Sequence, residues 1–350
     1  MPPLPNAAEL LEGVELGNGW SVVRRIPRRP GATGGKFSIP YEVLHDDGRV
    51  GFMKALDYSK AFLLPPAEVP GRLNAMTEEF LFEVEMVSKC IGLSRVVTAL
   101  DSGAIEIPNT QYPTVNYLIF EMASGDLRTA LEHAARLDVV WRLRTIHQVA
   151  TGLQQLHSRG IYHQDLKPSN VLNYGAADSK LADLGRSVSQ DVKSPFEALP
   201  IPGDWGHAPL ELLYRHSSLT SDQRRRGCDA YHLGSLAFLL FAGTAMTPAI
   251  LSQLDPHLHW KAWSGPYPDV LPFLRSAFNL AMVAIRLDEE PRIGADLAVT
   301  IRELCDPDPD LRGSARARSQ GANPLDVRRY VTKFDLLART AEARVRGSSA

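Results

Sequence analysis

The spacing of apolar residues changes once along this chain of 350 residues, and the order of that change is what most limits its fold. Over 20–56 apolar and polar residues alternate in three short runs, 20–26, 36–44 and 50–56, as half-buried strands require. A glycine-rich turn over 31–35 joins the first two runs, and Asp46-Asp47-Gly48 joins the last two. A helix is predicted over 77–90, opened by Thr77 with Glu78 and Glu79 behind it, and two more strand-like runs follow at 95–104 and 117–122. From 139 to 157 the spacing becomes helical, with apolar positions 139, 143, 146, 149, 150, 153 and 156 on one face and Gly160 placed to end it. The rest is helix-rich and includes a run at 230–242 apolar enough to be buried. Strands with one helix first, then mostly helices, predict an α+β chain of two lobes joined near 121–126.

The division read from the chain is 1–18, 19–122, 123–312 and 313–350. The first part is polar, Pro-rich and aperiodic, which reads as a tail, and 59–76, carrying Pro65, Pro66 and Pro70, reads as a long connection. The last part has eight Arg or Lys against three acids, 8 − 3 = +5, and places Val327, Tyr330, Val331, Phe334, Leu337, Ala338 and Ala341 at helical spacing. That pattern predicts a basic amphipathic helix packed on the domain, with partner binding as an alternative role.

Charge narrows the function. Lys and Arg number 38 against 40 Asp and Glu, so the chain lacks the basic excess that non-specific nucleic-acid binding needs. Cys90, Cys228 and Cys305 are odd in number and far apart, which suits neither a disulfide framework nor a zinc site. No apolar run is long enough to span a bilayer, and the start, Met1-Pro2-Pro3-Leu4, lacks the basic and apolar regions of a signal peptide. A reducing, cytoplasmic setting is expected, and the richness in Ala, Arg and Pro points to a bacterial source.

The most specific segment is His163-Gln164-Asp165-Leu166-Lys167-Pro168-Ser169-Asn170, with Asp183-Leu184-Gly185 beginning thirteen residues after Asn170. It resembles the catalytic loop and metal-binding triplet of the eukaryotic-like protein kinases, with Gln164 in place of the usual Arg and Leu184 in place of Phe. The resemblance extends from residue 20 to about 312 and implies a small β-rich N-lobe, a larger helical C-lobe and phosphoryl transfer from ATP. It further implies that Asp165 orients the acceptor hydroxyl from a solvent-accessible cleft, that Lys167 neutralises charge on the γ-phosphate, and that Asn170 and Asp183 give oxygens to Mg²⁺, with Mn²⁺ as an alternative.

Upstream, Gly51-Phe52-Met53-Lys54-Ala55-Leu56 resembles the strand whose lysine pairs the α- and β-phosphates, here Lys54, with Glu83 as its helix partner ahead of Glu79 and Glu85. The phosphate-covering loop matches loosely: Gly35 alone keeps its place among the three spaced glycines, with Gly34 beside it, so ATP is expected to bind under an altered lid. Tyr117 to Asp126 resembles the strand and hinge that hold adenine, which implies backbone contacts from Glu121 and Ala123, a ribose contact from Asp126 and a bulky Phe120 behind the pocket.

Beyond the triplet, Gly203 to Glu211 resembles the end of an activation segment, with Asp204 where Thr is usual. The resemblance pairs Glu211 with Arg312 and gives Asp229 the backbone of the catalytic loop to hold. Gln164 carries no charge for a phosphate on Ser187, Ser189 or Ser194 to neutralise, so phosphorylation-driven switching is expected to be weak or absent unless Arg186 supplies the charge. Regulation is then expected in 59–76 or the C-terminal helix. The activity so implied is a Ser/Thr protein kinase acting on protein substrates, itself included by autophosphorylation. A kinase-like binding module and a small-molecule kinase are the alternatives.

Overall fold

The computed structural model describes residues 4–27, 37–132, 138–175, 178–216, 220–285 and 291–348. The glycine-rich turn, with Gly34 and Gly35, lies outside the described residues. The chain forms two compact units, one running to Ser124 and including Asp183–Gly185, the other made of Gly125–Ala182 and Arg186–Ala350.

The first unit is built on an antiparallel sheet of β1 (Trp20–Arg25), β2 (Ser38–His45), β3 (Val50–Leu56), β4 (Ala99–Glu106) and β5 (Thr114–Glu121), in the order β1-β2-β3-β5-β4. Alternation decides its faces. In β3 Gly51, Met53 and Ala55 are buried and Lys54 points to the other face. Gly51 has to be glycine, since a Cβ there would lie 2.8 Å from Ile119 and 2.9 Å from Val43 on the flanking strands.

The face opposite Lys54 is closed by the chain's own beginning. Ala7, Ala8, Leu11 and Leu16 join Trp20, Val22, Tyr41, Val43, Met53 and Ile119 in one core, and the Tyr41 hydroxyl donates to the Ala8 carbonyl at 2.7 Å. The reading of these residues as a tail is therefore corrected: they are a lid on the sheet. Periodicity misses them because the segment packs through short 3-10 turns (Ala7–Glu9 and Gly17–Gly19) and not through a regular helix or strand. Leu11 is fully buried, so Leu11→Ala is expected to cost about 2 to 3 kcal/mol in urea unfolding, where a free tail would cost nothing.

Helix α1 (Val69–Lys89) starts eight residues before the predicted position. Pro70 sits in its first turn, where the missing N–H has no partner to lose. Thr77 is interior, its hydroxyl donating to the Leu73 carbonyl at 3.0 Å, so the connection over 59–76 is in part this helix and in part the 3-10 helix Tyr58–Leu63.

The second unit is mostly helical: α2 (Leu127–Leu131), α3 (Val139–Ser158), α4 (Leu210–Leu213), α5 (Ser221–Ala242), α6 (Met246–Leu251), α7 (Tyr267–Ala281), α8 (Pro291–Cys305), α9 (Ala315–Ser319) and α10 (Arg328–Ser348). Its short strands are β6 (Gly125–Asp126), β8 (Val171–Asn173) and β9 (Ser179–Leu181) in one ladder, and β7 (Ile161–Tyr162) with β10 (Val188–Ser189) in another. Helix α5 begins well before the predicted 230. Thr220 and Gln223 form a capping box at its start, and the polar turn that follows hid it from the apolar pattern. Leu143, Ile146, Val149, Ala150, Leu153 and Leu156 are the buried face of α3. Helix α10 packs on α3 with Tyr330, Phe334 and Ala338 inward, and Arg144 fastens it by bonds to Asp335 at 2.8 Å and Glu342 at 2.6 Å. All three cysteines are buried and outside any disulfide, and among the described residues no helix is long and apolar enough to cross a membrane.

Candidate active site

In the first unit three side chains meet. Lys54, on the face of β3 away from the N-terminal lid, places its Nζ 2.8 Å from Glu83 Oε1 on α1 and 3.4 Å from Asp183 Oδ1. Burial alone would lower the lysine, but the carboxylates of Asp183 and Glu83 outweigh it and hold the ammonium above its ordinary range. Phe120 on β5 is buried beneath this charge, its ring centroid 5.4 Å from Nζ. Glu83 is thus the helix acid that takes the lysine, while Glu79 is engaged by Arg72 at 3.0 Å and Glu85 lies near Lys89.

Asp183 adopts φ +64, a left-handed conformation that costs a non-glycine residue energy and is kept only where its surroundings enforce it. After β5, the Glu121 amide donates to the Thr98 carbonyl at 3.1 Å, and the Glu121 carboxylate accepts from the Thr98 amide at 2.8 Å, which fixes the strand's exit. Ala123 follows, half-buried.

The second unit carries the other set. Asp229 is fully buried near the middle of α5 and accepts from the His163 amide at 2.9 Å and the Gln164 amide at 2.8 Å. Burial would raise its carboxyl, but the hydrogen bond from His157 at 2.8 Å and the Gln164 amide bring it below the usual range, so it remains an anion on which the loop is wound. Gln164 has φ +62 and donates its side-chain amide to Asp229 and to the Arg225 carbonyl at 2.9 Å.

Wound this way, the loop brings Asp165, Lys167 and Asn170 together. Lys167 Nζ is 3.0 Å from Asp165 Oδ2, and Asn170 Nδ2 donates to the Asp165 carbonyl at 2.8 Å. The Asn170 oxygen accepts from the Ser169 hydroxyl at 3.2 Å. Asp165 is only 6 % exposed, which corrects the expectation of an open cleft. Gly203 and Asp204 cover it, the Asp204 amide donating to Asp165 Oδ1 at 2.8 Å. The Asp204 carboxylate caps Gly206 and stands 3.5 Å from Lys167. Asp126 is the N-cap of α2, accepting from the Thr129 amide at 3.0 Å and from Arg128 at 2.7 Å, so a ribose would share a carboxylate already in use.

Two supporting residues escaped the sequence reading. Gly203 stood in the quoted motif without a role, yet a Cβ there would fall 2.6 Å from both Asp165 Oδ1 and the Gln164 carbonyl. His157, which holds Asp229, sits at the end of α3 with no spacing signal to the loop it supports.

Among the described residues no cluster of three or more His, Cys, Asp or Glu could hold a metal ion alone.

Comparison with known proteins gives these sets a context. The family model described as "Protein kinase domain" matches residues 35–318. Extracellular signal-regulated kinase 2 of Dictyostelium discoideum is 30% identical over 190 residues, 52% of this chain and 49% of that protein. Mitogen-activated protein kinase 4 of Oryza sativa subsp. japonica is 33% identical over 97 residues, 28% of this chain and 26% of its own. Cyclin-dependent kinase 17 of Caenorhabditis elegans is 26% identical over 156 residues, 44% of this chain and 22% of its own. The chain thus spans about half or less of the length of each of these relatives.

Proposed function

The chain belongs to the protein kinase family, and from that premise we propose that it transfers the γ-phosphate of ATP, with Mg²⁺ as the metal and Mn²⁺ as the alternative, to serine or threonine hydroxyls of proteins. The observation that carries this reading is that Lys54–Glu83 and Asp165–Lys167–Asn170 are each assembled at bonding distance. A binding module without catalysis would not require all five. Mg·ATP, when bound, supplies the transferable phosphoryl group and the divalent charge.

The protein's own residues do the rest by positioning and electrostatics. Lys54, kept cationic, neutralises the α- and β-phosphates. Asp183 and Asn170 offer oxygens to the metal, and Lys167 meets the charge on the γ-phosphate. Asp165 accepts the hydrogen bond of the acceptor hydroxyl and aims it. Backbone groups of Glu121 and Ala123 would hold the purine and Asp126 the ribose, while a phosphate role for Gly34 and Gly35, which lie outside the described residues, rests on the sequence resemblance alone. The buried Glu211–Arg312 pair and the hold of Asp229 on the loop favour a protein over a small molecule as acceptor.

Autophosphorylation belongs to the same reading. A partner role for α10 has less to stand on, because Arg328, Lys333, Arg339 and Arg346 are already matched with Asp326, Glu303, Asp335 and Glu342.

The test is incubation of purified protein with labelled ATP and Mg²⁺ or Mn²⁺. Label on serine or threonine, of the protein itself or of an added protein, is the expected result, and none with either metal overturns the proposal. Gly203→Ala should lower kcat/KM for a protein acceptor about tenfold or more, since sub-ångström displacement of Asp165 is costly. Unchanged kcat/KM would show that the contact between Gly203 and Asp165 has no part in orientation.

A further inference from the structure

Residues 186–206 are held along their whole length within the second unit. At the start, β10 pairs with β7, and Gln190 donates to the Tyr162 hydroxyl at 2.9 Å. In the middle the Arg186 guanidinium lies 4.0 Å over the Phe196 ring, Arg224 donates to the Leu199 carbonyl at 2.8 Å, and Arg225 forms an ion pair with Glu197. At the end Gly203 and Asp204 sit on Asp165.

The central pair is joined to the catalytic loop by one residue. Gln164 donates to the carbonyl of Arg225, whose guanidinium reaches Glu197. Gln164 thus binds the Asp229 carboxylate and a backbone carbonyl, and the cation that receives an anion from the segment is the side chain of that same Arg225, at the start of α5. The anion it receives is a carboxylate of the chain itself and needs no added phosphate. The segment's serines are poorly placed for the alternative: Ser187, Ser189 and Ser194 are 0 to 3 % exposed, and the Ser194 hydroxyl is spent on the Ser187 carbonyl at 3.0 Å.

We propose that Arg225 and Glu197 are positioning residues for phosphoryl transfer, a built-in clasp that keeps 186–206 in place, and with it Gly203 and Asp204 on Asp165, without any phosphate on the segment. Arg186 is not the substitute cation; its charge is used on the face of Phe196. The inference rests on the kinase reading for its consequence but on the geometry of the second unit alone for the clasp.

The Glu197 side chain is 43% exposed, so the pair adds little to global stability, and a fall in activity with an unmoved melting temperature is its signature. The experiment uses the full chain, treated with phosphatase and verified free of phosphate by mass spectrometry. Glu197→Gln and Arg225→Gln are each expected to lose about tenfold in kcat/KM for a protein acceptor, while the Kd for ATP and Tm stay at their wild-type values. The double exchange of Glu197→Arg with Arg225→Glu is expected to recover most of that loss. In the same samples chymotrypsin cleavage within 191–203 should be about tenfold faster in the single variants and slow again in the exchange. Wild-type kcat/KM in the single variants, no recovery in the exchange, or a tenfold drop of the wild type on phosphatase treatment overturns the clasp. A wild type that transfers no phosphate at all sinks the kinase reading instead, and the cleavage rates then decide the clasp: equal rates overturn it.

Discussion

Asp165→Asn is expected to cut phosphate transfer about a hundredfold or more while the protein stays folded, the scale set by loss of a positioned base. The variant is nearly isosteric. Its amide oxygen can still accept from the Asp204 amide, which now bonds to Oδ1 at 2.8 Å, so the cover over the loop has no reason to move. What changes is the second atom: Oδ2, 3.0 Å from Lys167, becomes an NH₂ that meets an ammonium donor to donor and can no longer accept a proton. Asp183→Asn should be as damaging for a different reason. It removes the charge 3.4 Å from Lys54 along with an oxygen that the proposed function gives to the metal, so Mg·ATP affinity should fall with it and not with Asp165→Asn. Single-turnover rates and calorimetric titration with Mg·ATP separate the two. More than about a tenth of the wild-type rate in Asp165→Asn would remove the role assigned to that carboxylate.

The site was legible in the sequence to the degree that its chemistry depends on local spacing. His163 to Asn170 lie on one short loop, so their types and intervals are set by what they do together, and the structure brings Asp165, Lys167 and Asn170 into one network. Lys54 could be read because alternation in β3 leaves a single lysine on the face opposite Met53. The choice of Glu83 needed more than a pattern, since Glu79 and Glu85 share its helix and only three-dimensional position assigns them to Arg72 and Lys89.

Residues that work through shape or through distant partners were not legible. Gly203 matters because nothing larger fits against Asp165, which no spacing reveals. Arg225 was one of three consecutive arginines, Arg224 to Arg226, and each has found a different partner: a backbone carbonyl, Glu197 and Asp222. The N-terminal residues failed for the opposite reason. Leu11 and Leu16 have no regular element to give them a period, and their burial depends on a sheet formed by residues that come later. Pro70 misled because a proline that ends one helix is well placed to begin another.

Arg312→Ala should be among the most destabilising single changes in the second unit, at about 3 to 5 kcal/mol. The guanidinium is 1 % exposed and grips Glu211, itself 2 % exposed, with two bonds of 2.6 and 2.7 Å. It also donates to the carbonyls of Asp306 and Gly227 and lies 5.0 Å from the ring of Tyr231. Burial by itself would lower the arginine, yet the Glu211 carboxylate overrides it, so the guanidinium is held charged in the interior. Taking one away strands the other: Glu211 would be left buried without its counter-ion. This separates the cost of breaking the pair from the worth of having it, because exchanging both for apolar residues of similar size, Glu211→Leu with Arg312→Met, should cost less than Arg312→Ala alone. Urea unfolding of the three variants decides the matter. A loss below about 0.3 kcal/mol for Arg312→Ala would show that the ion pair does not hold the segment ending at Glu211 to the helices behind it.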